Sequence, residues 1–529
     1  MESKAAGPLS GGAEVTGDIA DIEAPSSKSL GHRALIAAAL ACGDSVVSRV
    51  SESEDVTRTR EALELIGAKF TRLGKGVYAA RGLGGAPRVI PGRIQTVLNG
   101  ERHARFGVLR KQSMPPAPSR RDDEGKAVSR CRSAPCWSQS GISGLERENA
   151  LPVFIGESGT SCRLLTAVFA AGEGCFHIHG SGRMHERPMG DLPAALGRLG
   201  AEFVFAGRES SPPFWLRASG FDAAGGECRI GTEESSQYLS GLLLAAPLSA
   251  GGLRLRPASE RIVSLPYVGL TLEIMERFGV RAKISAQGAD ADMSFSEARA
   301  ALASGRLTAR DLVFSVPGAI YRGADYAVEG DWSGASYLLA AGAIGPRAVR
   351  VSGLEERSLQ ADAAFLGILR EMGARVEQGE GSVTVAPAPL RGISADLGDC
   401  PDLAPTLAAL AAHAAGPTVI RNAAHLKVKE SDRLSAPAEE LGKAGCRVEV
   451  KEDGLVIIPP PGGPEAEGKE FCAHNDHRMA MSLALLGLAG ARARKSFAVR
   501  LDNPACVAKS FPDFWECWEK VLGRGPQVI

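Results

Sequence analysis

The sequence predicts an α/β fold of six compact repeated units, three in each of two domains. Three observations predict it: six uncharged, Ala/Leu-rich segments of helical length, a second set of amphipathic segments that end in glycine, and strand-like residues after those glycines. The two helix types alternate in the same order along 529 residues, and the glycines recur every 70–95 residues or so outside one insertion. Solenoid repeats are shorter, about 20–50 residues, so each unit is a small α/β layer.

Each apolar segment begins with a short polar cluster. The segments start at Ser26, Ser158, Ser235, Asp331, Pro401 and Asn475. A helix N-terminus offers free N–H groups and a partial positive charge, which together bind anions. Lys28, Arg163 and Arg478 add cations that oppose the helix dipole, and such cations indicate an anionic ligand. We therefore expect these N-termini to converge on one cleft.

The amphipathic segments carry charged residues between apolar ones, and each glycine fits the position just after a helix end. The glycines are Gly67, Gly200, Gly279, Gly373, Gly445 and, in a weaker sixth copy, Gly523. The strands predicted after the first five are KFTRL, EFVFA, RAKIS, RVEQG and RVEVKEDGLVIIP. Each unit is thus a buried helix, a strand, an amphipathic helix and a further strand.

The composition is that of a soluble globular protein, with 44% hydrophobic and 23% charged residues. A net charge of zero argues against bulk nucleic-acid binding. The 11 cysteines are scattered without a CxxC pair, which is typical of reduced thiols. The apolar segments are shorter than the roughly 20 residues that span a bilayer, and the N-terminus lacks a signal-peptide pattern. We expect a cytoplasmic protein without a membrane partner.

One stretch, residues 100–148, breaks the repeat because it is basic, rich in Ser and Pro, and without apolar periodicity. We expect a disordered, solvated insertion there. Two alternatives stay open: the stretch binds an acidic partner, or it is a mistranslated intron or an error of sequence assembly.

The polar clusters contain cations, carboxylates and hydroxyls rather than a nucleophile with its base, a P-loop or a metal motif. The cations are Lys28, Arg33, Arg163, Arg187, Lys429, Arg433, Arg478 and Lys509; the carboxylates are Glu329, Asp331, Asp402, Glu430 and Asp476; Ser29, Ser235, Ser236 and Gln237 complete the set. Cations with hydroxyls suit phosphate and carboxylate groups, and a few carboxylates suit proton transfer. This set predicts a metal-independent transfer reaction between two small anionic substrates.

The densest charged stretch, KVKESDRL from Lys427, has two interpretations. It is either a solvated helix face, or a helix on which Lys429 and Arg433, four apart, grip one anion. Asp402 and Ser235 likewise suit plain helix N-caps.

Nine motifs in order closely resemble the 5-enolpyruvylshikimate-3-phosphate (EPSP) synthase family. They are PSSKS from Pro25 with Arg33, GESGTSCR from Gly156, MHERP from Met184, SSQ from Ser235, VSLPY from Val263, EGDWSGASY from Glu329, KVKESDR from Lys427, NDHRMAM from Asn475 and AKSFPD from Ala508. They span nearly the whole chain except the insertion.

The resemblance implies two domains, each of three βαβαββ-type units, with helix N-termini facing an interdomain cleft. The implied domains are residues 28–329, interrupted by the insertion, and residues 1–27 with 330–529, so the chain should cross between them near Lys28 and Asp331. The implied reaction transfers the enolpyruvyl group of phosphoenolpyruvate to the 5-hydroxyl of shikimate 3-phosphate through a tetrahedral intermediate, and phosphate leaves. No metal or cofactor is implied, and we expect a monomer.

The resemblance also implies residue roles. The shikimate 3-phosphate contacts are Lys28, Ser29, Arg33, Ser235, Ser236, Ser264, Tyr267 and Lys429, with His425 where the family has an asparagine; the phosphoenolpyruvate contacts are Gly159, Arg187, Gln237, Arg433, Arg478 and Lys509. Asp402 should orient the 5-hydroxyl and accept its proton. Glu430 should protonate the methylene carbon and later take that proton back, and Lys28 should act as acid at the bridging or leaving oxygen.

Four positions depart from the family pattern: Ser26, Glu157, Leu164 and His425. Glu157 replaces an asparagine near the phosphate of phosphoenolpyruvate, which a carboxylate would repel unless it is protonated or turned away. We hypothesise altered affinity for phosphoenolpyruvate and altered sensitivity to glyphosate. Two alternatives remain: an enolpyruvyl transferase acting on UDP-N-acetylglucosamine, and a non-catalytic homologue.

Overall fold

A computed structural model describes residues 18–89, 141–221, 225–289, 291–488 and 499–523. Most of the predicted insertion therefore lies outside the described residues. Its last residues do not fit the prediction of disorder, because they form the helix Gly144–Glu148. A reciprocal pair of hydrogen bonds between Ser143 and Glu146 caps this helix, and Glu146 lies 3.3 Å from Arg217.

Helices and strands alternate along the described chain. The helices are α1 Lys28–Leu40, α2 Glu54–Leu65, α3 Gly144–Glu148, α4 Gly159–Ala170, α5 Leu192–Arg198, α6 Gln237–Ala245, α7 Pro266–Arg277, α8 Phe295–Ala303, α9 Trp332–Ile344, α10 Phe365–Glu371, α11 Ala404–Ala411, α12 Ser435–Lys443, α13 His477–Ala484 and α14 Phe514–Leu522. The strands are β1 Ile19–Glu23, β2 Asp44–Ser48, β3 Lys69–Gly74, β4 Val77–Arg81, β5 Leu151–Phe154, β6 Glu173–His179, β7 Glu202–Phe205, β8 Phe214–Ser219, β9 Gly226–Ile230, β10 Leu253–Pro257, β11 Lys283–Ala286, β12 Asp292–Met293, β13 Leu312–Val316, β14 Asp325–Ala327, β15 Ala348–Ser352, β16 Arg375–Gly379, β17 Ser382–Ala386, β18 Ser394–Asp396, β19 Thr418–Arg421, β20 Arg447–Val450, β21 Leu455–Ile458, β22 Glu470–Phe471 and β23 Arg500–Leu501.

The sheets repeat one pattern, a parallel pair followed by an antiparallel hairpin. Their strand orders are β14-β2-β4-β3, β5-β6-β8-β7, β12-β11-β13-β10-β9, β1-β15-β17-β16, β18-β19-β21-β20 and, among the described residues, β22-β23. A parallel pair needs a crossover. The apolar helices α4, α6 and α11 connect β5 to β6, β9 to β10 and β18 to β19, whereas α1 and α9 connect strands of two different sheets, β1 to β2 and β14 to β15. The amphipathic helix precedes the hairpin. The predicted α/β class is confirmed, and the βαβαββ order is found in five of the six units; the described residues of the sixth contain β22, α13, β23 and α14.

Burial separates the two helix types as the sequence predicts. Every residue of α9 is buried, as is α1 from Leu30 to Leu40. In α2, by contrast, only one face is buried. The six repeat glycines all have positive φ, from 65° at Gly523 to 111° at Gly67, which is the left-handed conformation that ends a helix at little cost to glycine.

The hydrophobic residues form two clusters. One contains buried residues from Leu30 to Val328, and the other combines residues 20–24 with residues 332–522. These clusters support our proposal of domains at 28–329 and at 1–27 with 330–529.

The first strand of each half of the chain lies in a sheet formed by the other half. Strand β1 pairs with β15, with Ile19 opposite Ala348, and β14 pairs with β2. The two crossing segments touch each other, because the amide of Ser27 donates to the carbonyl of Glu329 at 2.8 Å. The crossings lie next to Lys28 and Asp331, where the N-termini of α1 and α9 begin.

Candidate active site

A central cavity lies where the N-termini of the six buried helices meet. We define it by its lining residues, Lys28, Ser29, Thr160, Arg187, Glu234, Ser235, Ser236, Gln237, Val263, Ser264, Tyr267, Asp331, Ser333, Pro401, Asp402, Lys429, Glu430, Arg433, His477 and Arg478. Helices α1, α4, α6, α9 and α13 contribute their first turn or cap, and the 3-10 turn Pro401–Leu403 directly before α11 contributes Pro401 and Asp402. The field of six helix N-termini and the cations favour anions in this cavity.

Thirteen of the predicted site residues line the central cavity. They are Lys28, Ser29, Arg187, Ser235, Ser236, Gln237, Ser264, Tyr267, Asp402, Lys429, Glu430, Arg433 and Arg478. Four others lie just behind its wall: Arg33, Gly159, His425 and Lys509.

Arg433 is the centre of a buried ion-pair network. Its guanidinium donates to Asp476 at 2.7 and 3.0 Å and to Asp402 at 3.0 Å, and it lies 2.9 Å from Glu430. Asp476 also caps α13 by accepting from the amide of Arg478 at 2.9 Å. The planar guanidinium thus fixes three carboxylates, an arrangement that a lysine could not reproduce.

Asp402 is held ionised by its neighbours. Arg478 donates to it at 2.7 Å and Arg433 at 3.0 Å. Burial disfavours its carboxylate, but Arg478, Arg433 and Lys429 outweigh burial and hold the pKa of Asp402 well below its usual range. Asp402 therefore lines the cavity as an anion whose orientation is fixed by these two arginines, and it can accept a hydrogen bond from a hydroxyl.

Glu430 lies where both halves supply cations. Arg187 is 3.3 Å away, Arg433 is 2.9 Å away and Lys509 is 3.9 Å away. Burial disfavours the charged form, yet these three cations hold the pKa of Glu430 well below its ordinary value. Glu430 is thus a carboxylate among these cations.

Lys28 begins α1 and reaches into the cleft. Its ammonium lies 3.0 Å from the carboxylate of Asp55 on α2, and its amide donates to Asp331 at 3.2 Å. Burial opposes ionisation of Asp55, but Lys28 and Lys509 lower the pKa of that carboxyl. Asp55 was not among the predicted site residues, and nothing in the charged amphipathic pattern of α2 distinguishes it from a solvated helix residue.

Arg33 supports the site from behind. Its guanidinium donates to the carbonyl of Ser29 at 2.8 Å, to the hydroxyl of Thr271 at 2.8 Å and to the carbonyl of Tyr267 at 3.3 Å. In this state it therefore positions the two predicted contacts Ser29 and Tyr267.

Lys429 is a half-buried lysine in the cavity wall. Burial lowers its pKa to about 8, although Asp402 and Glu430 raise it. The neighbouring ring of His425 is neutral at physiological pH, because burial and then Lys429 lower its pKa to about 4.

The prediction of a helix over KVKESDRL is wrong. Residues Ala424–Val428 form a 3-10 helix, and Lys429 and Arg433 follow in bends and turns before α12 begins at Ser435. The physical reason is Asp432, whose carboxylate accepts from the amides of Leu434 and Ser435 at 3.0 and 3.1 Å and so starts the helix there.

Other residues of the site were missed. Thr160, Glu234, Ser333 and His477 line the cavity. Thr160 accepts from Gln237 at 3.0 Å, and Arg163 donates to the same amide side chain at 2.9 Å. For Thr160, Ser333 and His477 the available signal was a position in the first turn of a buried helix, whereas Glu234 lies just before α6.

A possible metal-binding group lies apart from the residues lining the cavity: ligand atoms of Glu439, Glu440 and His474 lie within 4.8 Å of one another. Lys443 occupies both oxygens of Glu440, at 2.8 and 2.9 Å. No helix among the described residues has the length and apolar character needed to cross a membrane.

Solved structures share this fold. An EPSP synthase from Acinetobacter baumannii superposes with a TM-score of 0.63 at 22% identity, covering 96% of this chain and 97% of that one. The enolpyruvyl transferase NikO from Streptomyces tendae has a TM-score of 0.61 at 18% identity, covering 97% and 96%. The fold is therefore shared with this EPSP synthase and with the enolpyruvyl transferase NikO.

The family is shown by sequence. The EPSP synthase (3-phosphoshikimate 1-carboxyvinyltransferase) family profile matches residues 10–91, 126–295 and 306–518. Proteins named 3-phosphoshikimate 1-carboxyvinyltransferase are 33% identical over 502 residues in Sulfurovum sp. and 35% identical over 497 residues in Laribacter hongkongensis. They cover 95% and 93% of this chain, and 96% and 95% of their own lengths. The chain belongs to the EPSP synthase family.

The family match covers part of the predicted insertion at residues 100–148. The unmatched stretch is 92–125, whereas residues 126–148 of the predicted insertion fall within the family match.

Proposed function

We propose that this protein transfers the enolpyruvyl group of phosphoenolpyruvate to the 5-hydroxyl of shikimate 3-phosphate, giving 5-enolpyruvylshikimate 3-phosphate and phosphate. The observation that carries the proposal is the placing of two ionised carboxylates, Asp402 and Glu430, among cations at converging helix N-termini. Two anionic substrates and proton transfers at two different atoms require such a site.

Each substrate has its own group of contacts. Ser235, Ser236 and Lys429 bind the phosphate of shikimate 3-phosphate, while Ser264 and Tyr267 line the same part of the cavity. Arg187, Gln237, Arg433, Arg478 and Lys509 bind phosphoenolpyruvate, whose phosphate and carboxylate need several cations. Gly159 allows the guanidinium of Arg187 to approach the N-terminus of α4, and His425 lies behind Lys429.

In the addition step, Asp402 accepts the proton of the 5-hydroxyl as its oxygen bonds to C2 of phosphoenolpyruvate. Glu430 gives a proton to C3, so that the methylene carbon becomes a methyl group. In the elimination step, Glu430 takes a proton back from that methyl group, the double bond reforms, and the bond from C2 to the phosphate oxygen breaks. Lys28 donates a proton to the leaving phosphate, and its ammonium is regenerated by the proton that Asp402 accepted.

The electrostatics explain how Glu430 becomes an acid. By themselves Arg187, Arg433 and Lys509 keep it ionised. The negative charges of phosphoenolpyruvate offset these cations, which raises the pKa of Glu430 and favours its protonated form. Proton donation is thereby linked to substrate binding. The protein needs no metal in this scheme, because cations and helix N-termini stabilise the departing phosphate.

The test is phosphate release from phosphoenolpyruvate by the full chain, measured with and without shikimate 3-phosphate and after dialysis against a chelator. Release that needs both substrates and survives the chelator supports the proposal. Release with UDP-N-acetylglucosamine in place of shikimate 3-phosphate would identify the alternative transferase. No release from folded protein with either acceptor would identify a non-catalytic homologue.

We further propose a monomer, because one chain supplies all the helix N-termini of the central cavity. Light scattering during size-exclusion chromatography tests this.

A further inference from the structure

Glu157, at the turn before α4, forms an ion pair with Lys509 from the other half of the chain. Its carboxylate oxygen Oε2 lies 3.4 Å from the ammonium of Lys509 and accepts from the side-chain amide of Asn475, also at 3.4 Å. The carboxylate is thus turned away from the central cavity. It faces two donors, Asn475 and Lys509, from the part of the chain that forms the second hydrophobic cluster, residues 332–522.

Several contacts fix this orientation. The carbonyl of Glu157 accepts from Arg187 at 3.1 Å, which anchors the turn on its cavity side. Asn503 donates to the side-chain oxygen of Asn475 at 3.0 Å, so the amide nitrogen of Asn475 is left to face Glu157. Gly182 leaves room for the second carboxylate oxygen, since a Cβ built on it would lie 2.0 Å from Oε1.

The position of Lys509 reflects this pairing. Lys509 is only 7% exposed and lies in the wall between two cavities. Together with Glu157, Asn475 and Asp55 it lines a side cavity, and it is absent from the described residues that line the central cavity. The carboxylate of Glu430, which lines the central cavity, lies 3.9 Å from the ammonium of Lys509, farther than the 3.4 Å that separates this ammonium from Glu157.

We propose that Glu157 is a specificity-determining residue that weakens phosphoenolpyruvate binding by competing with this substrate for the ammonium of Lys509. The inference rests on the proposed function, since it takes phosphoenolpyruvate as the anion that Lys509 binds. When the anion enters the central cavity, the ammonium turns from Glu157 towards the substrate and the ion pair breaks. The net free energy gained when phosphoenolpyruvate contacts Lys509 is therefore the free energy of that contact minus the free energy of the Glu157–Lys509 ion pair that it replaces.

The direction of the effect follows from charge. Replacing Glu157 with glutamine keeps the size of the side chain and an oxygen that accepts from Asn475, but removes the negative charge. Lys509 is then free to meet the anion, and a partly exposed pair of this kind corresponds to about a fivefold change in affinity. The KM for phosphoenolpyruvate should fall about fivefold, with kcat and the KM for shikimate 3-phosphate within twofold of the parent.

The experiment compares the full chain with its Glu157→Gln and Glu186→Gln variants. Glu186 is a matched control, because it is a glutamate of the same region whose 67%-exposed side chain faces Arg183 at 3.9 Å. Steady-state phosphate release gives both KM values and kcat, and calorimetry gives the affinity for phosphoenolpyruvate without turnover. A glyphosate titration of the three proteins reports on the same site.

A lower KM and a tighter calorimetric affinity in Glu157→Gln alone would support the proposal. An unchanged or higher KM for phosphoenolpyruvate in an active Glu157→Gln variant would overturn it. If the parent protein releases no phosphate, the proposed function fails, while the calorimetric comparison still decides the role of Glu157. Equal affinities in that comparison would overturn the inference as well.

Discussion

Gly159, the first residue of α4, leaves space for the guanidinium of Arg187. A Cβ built on Gly159 would lie 2.5 Å from Nη2 and 2.7 Å from Cζ of Arg187. Ordinary contacts between such atoms are about 3.5 Å, so in a Gly159→Ala variant the guanidinium must retreat by about 1 Å. The flexible arginine side chain can make this movement, and the backbone of α4 need not change.

The displacement of Arg187 in Gly159→Ala should slow the reaction. Arg187 lies 3.3 Å from Glu430 and donates to the carbonyl of Glu157 at 3.1 Å, and both contacts would lengthen. A misplacement of about 1 Å can cost about 100-fold in rate. Because Arg187 is a proposed phosphoenolpyruvate contact, we expect kcat/KM for this substrate to fall about 10- to 100-fold, with the KM for shikimate 3-phosphate little changed.

The assay is steady-state phosphate release with each substrate varied in turn. Gly442→Ala is the matched control, because nothing lies within 4 Å of a Cβ built on this glycine of α12. We expect parental kinetics for it and a gain in stability of about 1 kcal/mol from better helix propensity. A Gly159→Ala protein whose KM for phosphoenolpyruvate stays within twofold of the parent would refute the reasoning.

Three further predictions concern buried charges. Asp402→Asn should lower kcat about 10²- to 10⁴-fold while the far-ultraviolet circular dichroism stays parental; a kcat within threefold would remove Asp402 from proton transfer. Asp476→Asn should lower the free energy of unfolding in urea by about 3 kcal/mol, because it removes the negative charge that accepts from Arg433 at 2.7 and 3.0 Å and puts an NH2 group in place of one acceptor oxygen; parental urea stability would contradict this. The KM for shikimate 3-phosphate should rise above about pH 8, where Lys429, whose pKa burial lowers to about 8, loses its charge. In Lys429→Arg that rise should move to higher pH, and an identical pH profile would exclude Lys429 as its cause.

The repeated helices could be predicted because their sequence signals are local. An uncharged Ala/Leu run after a polar cluster predicts a buried helix such as α9, and glycine after an amphipathic run predicts an end such as that at Gly67. The exchange of β1 and β14 between the halves is not local, and only the family resemblance indicated it. The helix predicted over KVKESDRL failed because spacing alone did not weigh the competing hydrogen bonds of Asp432.

The sequence motifs predicted which residues belong to the site, but not which ion-pair partners these residues have. Motifs named Lys28, Asp402 and Glu430, yet sequence gave no sign that Asp55 would lie 3.0 Å from Lys28. Glu157 was recognised as a departure from the family pattern, whereas its pairing with Lys509, 352 positions along the chain, required the tertiary structure. Pairings of this kind depend on how the two halves meet, which no short motif records.

The exchanged strands β1 and β14 delay the folding of the protein during its synthesis. Ile19 pairs with Ala348, so the earliest described strand waits for 348 − 19 = 329 further residues before its partner exists. At about 5–20 residues per second, a ribosome takes roughly 15–65 seconds to supply it. During that interval β2 also lacks β14 and is an open sheet edge. The nascent chain therefore passes through a period in which both halves are incomplete, and chaperones that cover open strands have their opportunity then.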